Sequence, residues 1–195
     1  MKDKFGDRMK GYEAQCTSIQ LDNTLPVVCR LDGSLFSKFT KDMEKPYDVN
    51  FNKIMSEVTL YAMKLTNANI AYTQSDEISL IWENKEESQS YYNGKMYKIL
   101  SILPSKVSVR FNKLLPKYLL NKVDLEPVFD CRVFNVPSEM EAFNELYWRT
   151  LDCRKNSVSS LFHYKLGHKK GLNKHTSQKL NYMLEEDIDW NEWSL

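Results

Sequence analysis

Apolar and polar residues alternate from Pro26 through Val27, Val28, Cys29, Arg30 and Leu31 to Asp32, with Cys29 and Leu31 on one face and Arg30 and Asp32 on the other. That is the period of a half-buried strand, and Gly33 closes it. After a polar loop holding Lys45-Pro46, apolar residues recur at Phe51, Ile54, Met55, Val58, Ala62 and Leu65. This spacing predicts an amphipathic helix, with Asp48 placed to cap it. Ala71 to Trp82 reads as a hairpin whose second arm alternates Ile78, Leu80 and Trp82, and a polar loop follows from Glu83 to Gly94. A long helix is predicted from Lys95 to Leu120, burying Ile99, Leu103, Val107 and Leu114, with Pro104 expected to kink or split it. Phe129 to Val136 alternates again as a strand. Ser138 followed by Glu141 has the capping-box spacing and opens a helix across Leu146 to Cys153. From Gly167 the stretch GHKKGLNKHTSQ reads as a basic loop, and Ser177 to Leu184 returns to helical spacing. Strand, helix, hairpin, helix, strand is the order of an α+β, ferredoxin-like βαββαβ fold, an antiparallel sheet with helices on one face. It is expected over residues 1–137. A helical, basic extension packing on it is expected over 138–195.

Composition narrows the picture only a little. The 195 residues carry 27 Lys and Arg against 26 Asp and Glu, a formal charge of +1, so a nucleic-acid surface must come from local clustering. The four cysteines, Cys16, Cys29, Cys131 and Cys153, form no C-x-x-C pair, and the first residues lack the apolar core of a signal peptide. A reduced, cytoplasmic setting is the expectation. No apolar run is long enough to span a membrane. His163, His168 and His175 have no zinc-ligand spacing and are read as surface or RNA-facing residues.

The candidate chemistry lies in two turns. A βαββαβ sheet can bring the end of the first strand to the hairpin turn, which places Asp32 near Asp76. Two carboxylates and an accessible Gly33 carbonyl make an oxygen-rich site for Mg²⁺, which keeps waters and takes further ligands from substrate phosphates. Phosphoryl or nucleotidyl transfer is the chemical use of such a pair; the competing reading is two ordinary turns with acidic turn residues. Glu77, next to Asp76 in a strand, points to the other face from it and either orients the site or is solvated. Lys45 and Ser75 are placed to meet a polyphosphate or are plain loop residues. Lys106, Arg110, Lys113 and Lys117 form one basic stripe on the long helix, by default a solvated face. Arg149, Arg154, Lys155, Lys165, Lys169, Lys170 and Lys174 mix with Tyr147, Trp148, Phe162 and Tyr164. That mixture suits RNA contact, and equally a core.

Taken together, RLDGSLFSKFT, KPYD, AYTQSDEISLIW, FDCRVFNVPS and WRTLDCRKNSVSS resemble, in order and spacing, the tRNA-histidine guanylyltransferase family of 3′-to-5′ nucleotide polymerases. The resemblance implies a palm-like catalytic domain that adds nucleotides to the 5′ end of tRNA. It implies that Asp32, Asp76 and the Gly33 carbonyl bind two Mg²⁺, with Asp32 and Asp76 catalytic. Nucleotide binding would fall to Asp32, Gly33, Ser34, Leu35, Phe36, Ser37, Lys45, Ser75 and Asp76. Arg30 and Arg132, with Arg149, Arg154, Lys155 and Asn156, would contact phosphates or RNA. GTP or another NTP and ATP are the implied substrates, tRNA the partner, a homotetramer built as a dimer of dimers the assembly, and no membrane is involved. Where the family often has Arg and His, this chain has Ser34 and Ser37. Where eukaryotic members read His-Ile-Asn-Asn, it has Arg154-Lys155-Asn156-Ser157, so it resembles the bacterial, archaeal and viral branch associated with template-dependent repair of 5′-truncated tRNA. A nucleotide cyclase of similar architecture and a catalytically silent tRNA-binding protein are the competing readings.

Overall fold

The computed structural model describes residues 3–83 and 91–193, so most of the loop expected from Glu83 to Gly94 lies outside the described residues. The chain forms two compact units, Met1–Lys41 with Asn50–Phe143, and Asp42–Val49 with Asn144–Leu195. The division thus falls a few residues after the expected 137/138 boundary, and the segment carrying KPYD joins the second unit.

The first unit holds α1 (Lys4–Thr17), β1 (Val27–Ser34), the short α2 (Phe36–Phe39), most of α3 (Val49–Thr66), β2 (Ile70–Gln74), β3 (Glu77–Trp82), α4 (Met96–Tyr118) and β4 (Val128–Asn135). The four strands form one antiparallel sheet in the order β2-β3-β1-β4. This is the α+β, palm-like sheet the pattern predicts. On one face Cys29, Leu31, Ile78, Leu80, Phe129 and Val133 are buried. Phe36, Phe39, Phe51, Phe111 and Phe129 meet there, with Phe36 to Phe129 centroids 5.0 Å apart and Phe36 to Phe111 5.4 Å. Such tilted and edge contacts add about 0.5–1.5 kcal/mol each beyond area burial. Every residue of β3 is buried, on both faces. The reason lies on the second face, where Ile70 and Ile81 line a shallow crevice with Ala142 and Phe143, from the start of the helix that follows β4.

Several helices differ from the pattern's reading. The helix α4 runs unbroken through Pro104 and Pro116. Ile99, Leu103, Val107 and Phe111 are all buried along it, and this burial holds together the two halves that the missing amide would otherwise separate. The helix α1, capped by Asp3 accepting from the Gly6 amide at 2.9 Å, has no buried residue and so leaves no apolar period to detect. The helix after β4, α5 (Glu139–Leu166), is far longer than 146–153; Ser138 Oγ accepts from the Glu141 amide at 3.3 Å at its start.

The second unit takes the rest of α5, then α6 (His168–Gly171), inside the expected loop, and α7 (Thr176–Glu185). Its own core is Val158, Leu161, Phe162 and Met183, with Leu180, Ile188, Trp190 and Trp193 packed against it. No helix among the described residues is long and apolar enough to cross a membrane.

Candidate functional site

The strand registers set the site out in rows. Asp32 lies opposite Asp130 on one side and Glu77 on the other, and Gln74 lies opposite Glu77. Two residues along, Arg30 lies opposite Arg132 and Ser79; two further, Val28 lies opposite Phe134 and Ile81. Because side chains alternate with period two, the second face of the sheet carries an acidic row, a basic row and an apolar row. Like charges directly opposite are unfavourable, so the rows pair with each other. Arg132 Nη2 stands 4.0 Å from Asp32 and 3.8 Å from Asp130, and Arg30 Nε stands 4.0 Å from Glu77.

The hairpin turn brings the remaining carboxylate. Gln74 pairs with Glu77, leaving a two-residue connection of Ser75, at φ 48°, and Asp76. Thr73 Oγ1 donates to the Glu77 carbonyl at 2.8 Å, and the Gly33 amide donates to the Asp76 carbonyl at 3.1 Å. This last bond ties the end of β1 to the turn, and with it Asp32 to Asp76. Burial, then the neighbouring Asp76, Asp130 and Glu77 carboxylates, raise the Asp32 carboxyl above the ordinary aspartate range, against Arg132. Burial also raises Asp76, with Glu77 adding to the rise and hydrogen bonds from its own backbone and Ser75 opposing it. Glu77 is itself buried, at 8% exposure, and accepts from Gln74 Nε2 at 3.3 Å. The solvated reading of Glu77 is therefore corrected: the register turns its side chain to the face that bears Asp32.

A carboxyl that holds its proton more tightly folded than unfolded contributes stability below its unfolded pKa and loses it as pH rises through the folded value. At pH 7 Asp32 is on the unfavourable side. Asp32→Asn should raise the metal-free melting temperature at pH 7, by up to about 1 kcal/mol of stability after solvent screening, or roughly 2–4 °C. The gain should fade as pH falls into the aspartate range. Scanning fluorimetry across pH checks this; a gain that persists at pH 3 would contradict it.

The remaining sequence candidates divide. Ser34, Leu35 and Ser37 are exposed where β1 runs into α2, with Leu35 at φ 58°. The Phe36 ring is buried at 2% exposure in the aromatic cluster, so only its backbone can face a ligand. Gly33 is required beneath that ring: a Cβ there would lie 2.4 Å from two Phe36 ring carbons. Lys45, Arg149, Arg154, Lys155 and Asn156 belong to the second unit. There Tyr47 donates to the Ser157 carbonyl at 3.1 Å. Arg154, Lys155 and Asn156 are exposed. Arg149 is not: it is 8% exposed, with its guanidinium 3.0 Å from Asp152, and burial removes it from any phosphate-binding surface. Among the proposed stacking residues Phe162 is core, while Tyr147, Trp148 and Tyr164 are exposed. On α4, Arg110 and Lys117 lie 3.8 Å and 3.0 Å from Glu57 of α3, which also accepts from the Tyr118 hydroxyl, so two of the four stripe cations share one carboxylate. Among the described residues no cluster of three or more His, Cys, Asp or Glu could hold a metal ion, the histidines included.

Asp130 is the residue that sequence reasoning missed. The signal was present: Arg30-Leu31-Asp32 read forward mirrors Asp130-Cys131-Arg132 read backward, and antiparallel pairing aligns the two triplets charge on charge.

Among known proteins, the family described as tRNAHis guanylyltransferase (Thg1) matches residues 6–137. An uncharacterised protein of Acanthamoeba polyphaga mimivirus is 37% identical over 191 residues, covering 86% of this chain and 65% of its own length. The tRNA(His) guanylyltransferase of Schizosaccharomyces pombe is 32% identical over 163 residues, covering 80% and 59%. This chain thus spans about 60% of the length of such relatives. A solved bacterial tRNA(His) guanylyltransferase-like protein in complex with ATP superposes with a TM-score of 0.88 at 31% identity, over 97% of this chain and 81% of that one.

Proposed function

This chain belongs to the tRNA-histidine guanylyltransferase family, and on that footing we propose that it is a Mg²⁺-dependent nucleotidyltransferase extending the 5′ end of tRNA in the 3′-to-5′ direction, restoring nucleotides missing from truncated tRNA against the opposite strand. The observation that carries the reading is the Gly33 to Asp76 bond, which draws the acidic row and the turn carboxylate to one sheet end.

The residues fit a hard divalent cation. Burial and neighbouring carboxylates raise both Asp32 and Asp76, against Arg132 at Asp32, so added positive charge is favoured there, and two side chains with a backbone carbonyl leave places for water and phosphate oxygens, as Mg²⁺ prefers. Asp32, Asp76 and the Gly33 carbonyl would hold it. When bound, Mg²⁺ supplies charge neutralisation at phosphorus and a more acidic attacking hydroxyl. The protein's own groups do the rest. The backbone of residues 33–37 and the Ser75 hydroxyl orient the triphosphate. Arg132 and Arg30 supply cationic donors one row away, and Glu77 and Gln74 hold Arg30 and the turn in place. The 3′-hydroxyl of the incoming nucleotide is directed at the activated 5′ phosphorus of the tRNA, and pyrophosphate departs from a 5′-triphosphate end or AMP from an ATP-activated 5′-monophosphate end. ATP serves where a 5′-monophosphate must first be activated; ATP in the bacterial relative's complex supports nucleotide use. Lys45, Arg154, Lys155 and Asn156 contact phosphates or RNA from the second unit. By the same family reading the protein assembles as a dimer of dimers, and α1, with Phe5 and Tyr12 exposed, offers surface for it.

Incubation with a 5′-triphosphorylated tRNA lacking its first nucleotide, Mg²⁺ and labelled NTPs should lengthen the tRNA by one residue, with the templated base preferred. A cyclic nucleotide formed without RNA would instead identify a cyclase, and tRNA binding with no product a silent binder.

A further inference from the structure

On the helix-covered face, directly behind the acidic row, two thiols touch. Cys29 of β1 and Cys131 of β4 have their sulfurs 3.3 Å apart. The registers pair Cys29 with Val133 and Leu31 with Cys131, so the cysteines are diagonal neighbours across the strand pair. Cys29 is fully buried and Cys131 partly exposed on an edge strand. Nothing in the proposed transfer uses either.

We propose that Cys29 and Cys131 are an oxidisable dithiol, converted by hydroperoxides into a disulfide between β1 and β4 that disables the carboxylate site. The exposed partner reacts first. Cys131 sulfur attacks one peroxide oxygen and becomes a sulfenic acid, while the O–O bond breaks and the other oxygen leaves as water or an alcohol with the Cys131 proton. Cys29 sulfur then attacks the Cys131 sulfur, the S–S bond forms, and the sulfenic oxygen leaves as water with the Cys29 proton. Two thiols are oxidised and one hydroperoxide is reduced. Cys29, fully buried, does not meet the peroxide and is therefore the resolving partner; its hydrogen bond to Cys131, together with burial, holds its thiol well above the ordinary range, so it attacks as its proton passes to the departing sulfenic oxygen.

The bond has a mechanical consequence. The sulfurs must close from 3.3 Å to about 2.0 Å. Diagonal neighbours in a sheet have Cα atoms roughly 7–8 Å apart, beyond the usual disulfide span of about 4.4–6.8 Å. Closure therefore shears β4 along β1 by on the order of 1 Å. Asp130 and Arg132 flank Cys131, so they move against Asp32. A displacement of that size at a reacting centre costs about a hundredfold in rate.

The loss of transfer rests on the proposed nucleotidyl transfer; bond formation does not. The full chain, freed of reductant, is treated with hydrogen peroxide, quenched with an alkylating agent and mapped by peptide mass. The expected result is a linked peptide joining Cys29 to Cys131, two hydrogens lighter than the sum of its parts. Extension should fall about a hundredfold and return with dithiothreitol. Cys131→Ala, or Cys131→Ser should the alanine variant fold poorly, should extend tRNA as the parent does and keep that activity through peroxide. A Cys131 found alkylated or over-oxidised without the linked peptide overturns the dithiol. A linked peptide with undiminished extension overturns its control of the site. Should the untreated protein extend no tRNA, the transfer reading has failed, and the peptide map alone still decides the disulfide.

Discussion

Asp76→Asn should lower single-turnover nucleotide addition to 5′-triphosphorylated, truncated tRNA by at least roughly a thousandfold, about 4 kcal/mol of transition-state stabilisation, while tRNA affinity stays within about twofold. The substitution keeps the side chain's shape and an oxygen for the Ser75 hydroxyl, so the two-residue turn and the Gly33 to Asp76 backbone bond remain. What disappears is one of the two charges that would hold Mg²⁺ against the sheet end. Transition-state charge stabilisation is the largest single contribution of such a site, and on the proposed function it is lost without a matching loss in RNA contacts, which that reading gives to other residues. Lys113→Ala on the exposed stripe of α4 serves as the comparison and should transfer as the unaltered protein does. An Asp76→Asn protein within tenfold of the unaltered rate would sink the assignment of Asp76. Equal loss of tRNA affinity would point to misfolding, which a melting curve resolves.

The sheet and its helices were legible because each strand and each core-facing helix buries a face, and burial imposes a period on the sequence. The helix α1 was not, since it buries nothing. Pro104 misled for the opposite reason: a local rule about a missing amide was overridden by the burial of Ile99, Leu103, Val107 and Phe111 on one side of the helix. At the site, Asp32 and Asp76 could be brought together from strand order alone. Glu77 could not be assigned, because its place depends on register and a one-residue slip would turn it to the other face; Asp130 depends on register too, and only the mirrored charge triplets of β1 and β4 carried its signal. Arg149 shows the limit of composition: in the string it belongs to a basic cluster, whereas in the fold it is a buried partner of Asp152.

The rows on the second face also account for a cost. Three carboxylates side by side across β4, β1 and β3, beside two arginines also side by side, is an arrangement a stability-driven sheet would avoid. The ion pairs at 3.8 to 4.0 Å, two diagonal across strands and one along β4, offset part of it. On the proposed function, what remains suits a ligand that brings both signs, a metal ion for the carboxylates and a polyphosphate for the arginines. Local rules broken with only partial compensation inside the protein are expected at functional sites.

Gly33→Ala should be the most damaging substitution at the site that leaves every charge in place. Its methyl group would come within 2.4 Å of two Phe36 ring carbons and 2.8 Å of a third. That ring cannot step aside, because it is held by Phe39, Phe111 and Phe129 at centroid distances of 5.2, 5.4 and 5.0 Å. Overpacking of this kind costs about 2–3 kcal/mol, so the melting temperature should fall by roughly 5–10 °C. The alternative to moving the ring is moving the backbone, which carries the Gly33 carbonyl and amide away from the turn that holds Asp76. Transfer measured well below the melting transition should therefore drop by about a hundredfold, beyond what unfolding explains. Adding Phe36→Leu should recover part of the stability, since the two substitutions share one contact and their costs are not additive. A Gly33→Ala protein that melts within about 1 °C of the parent and transfers normally would show that the ring has room to move.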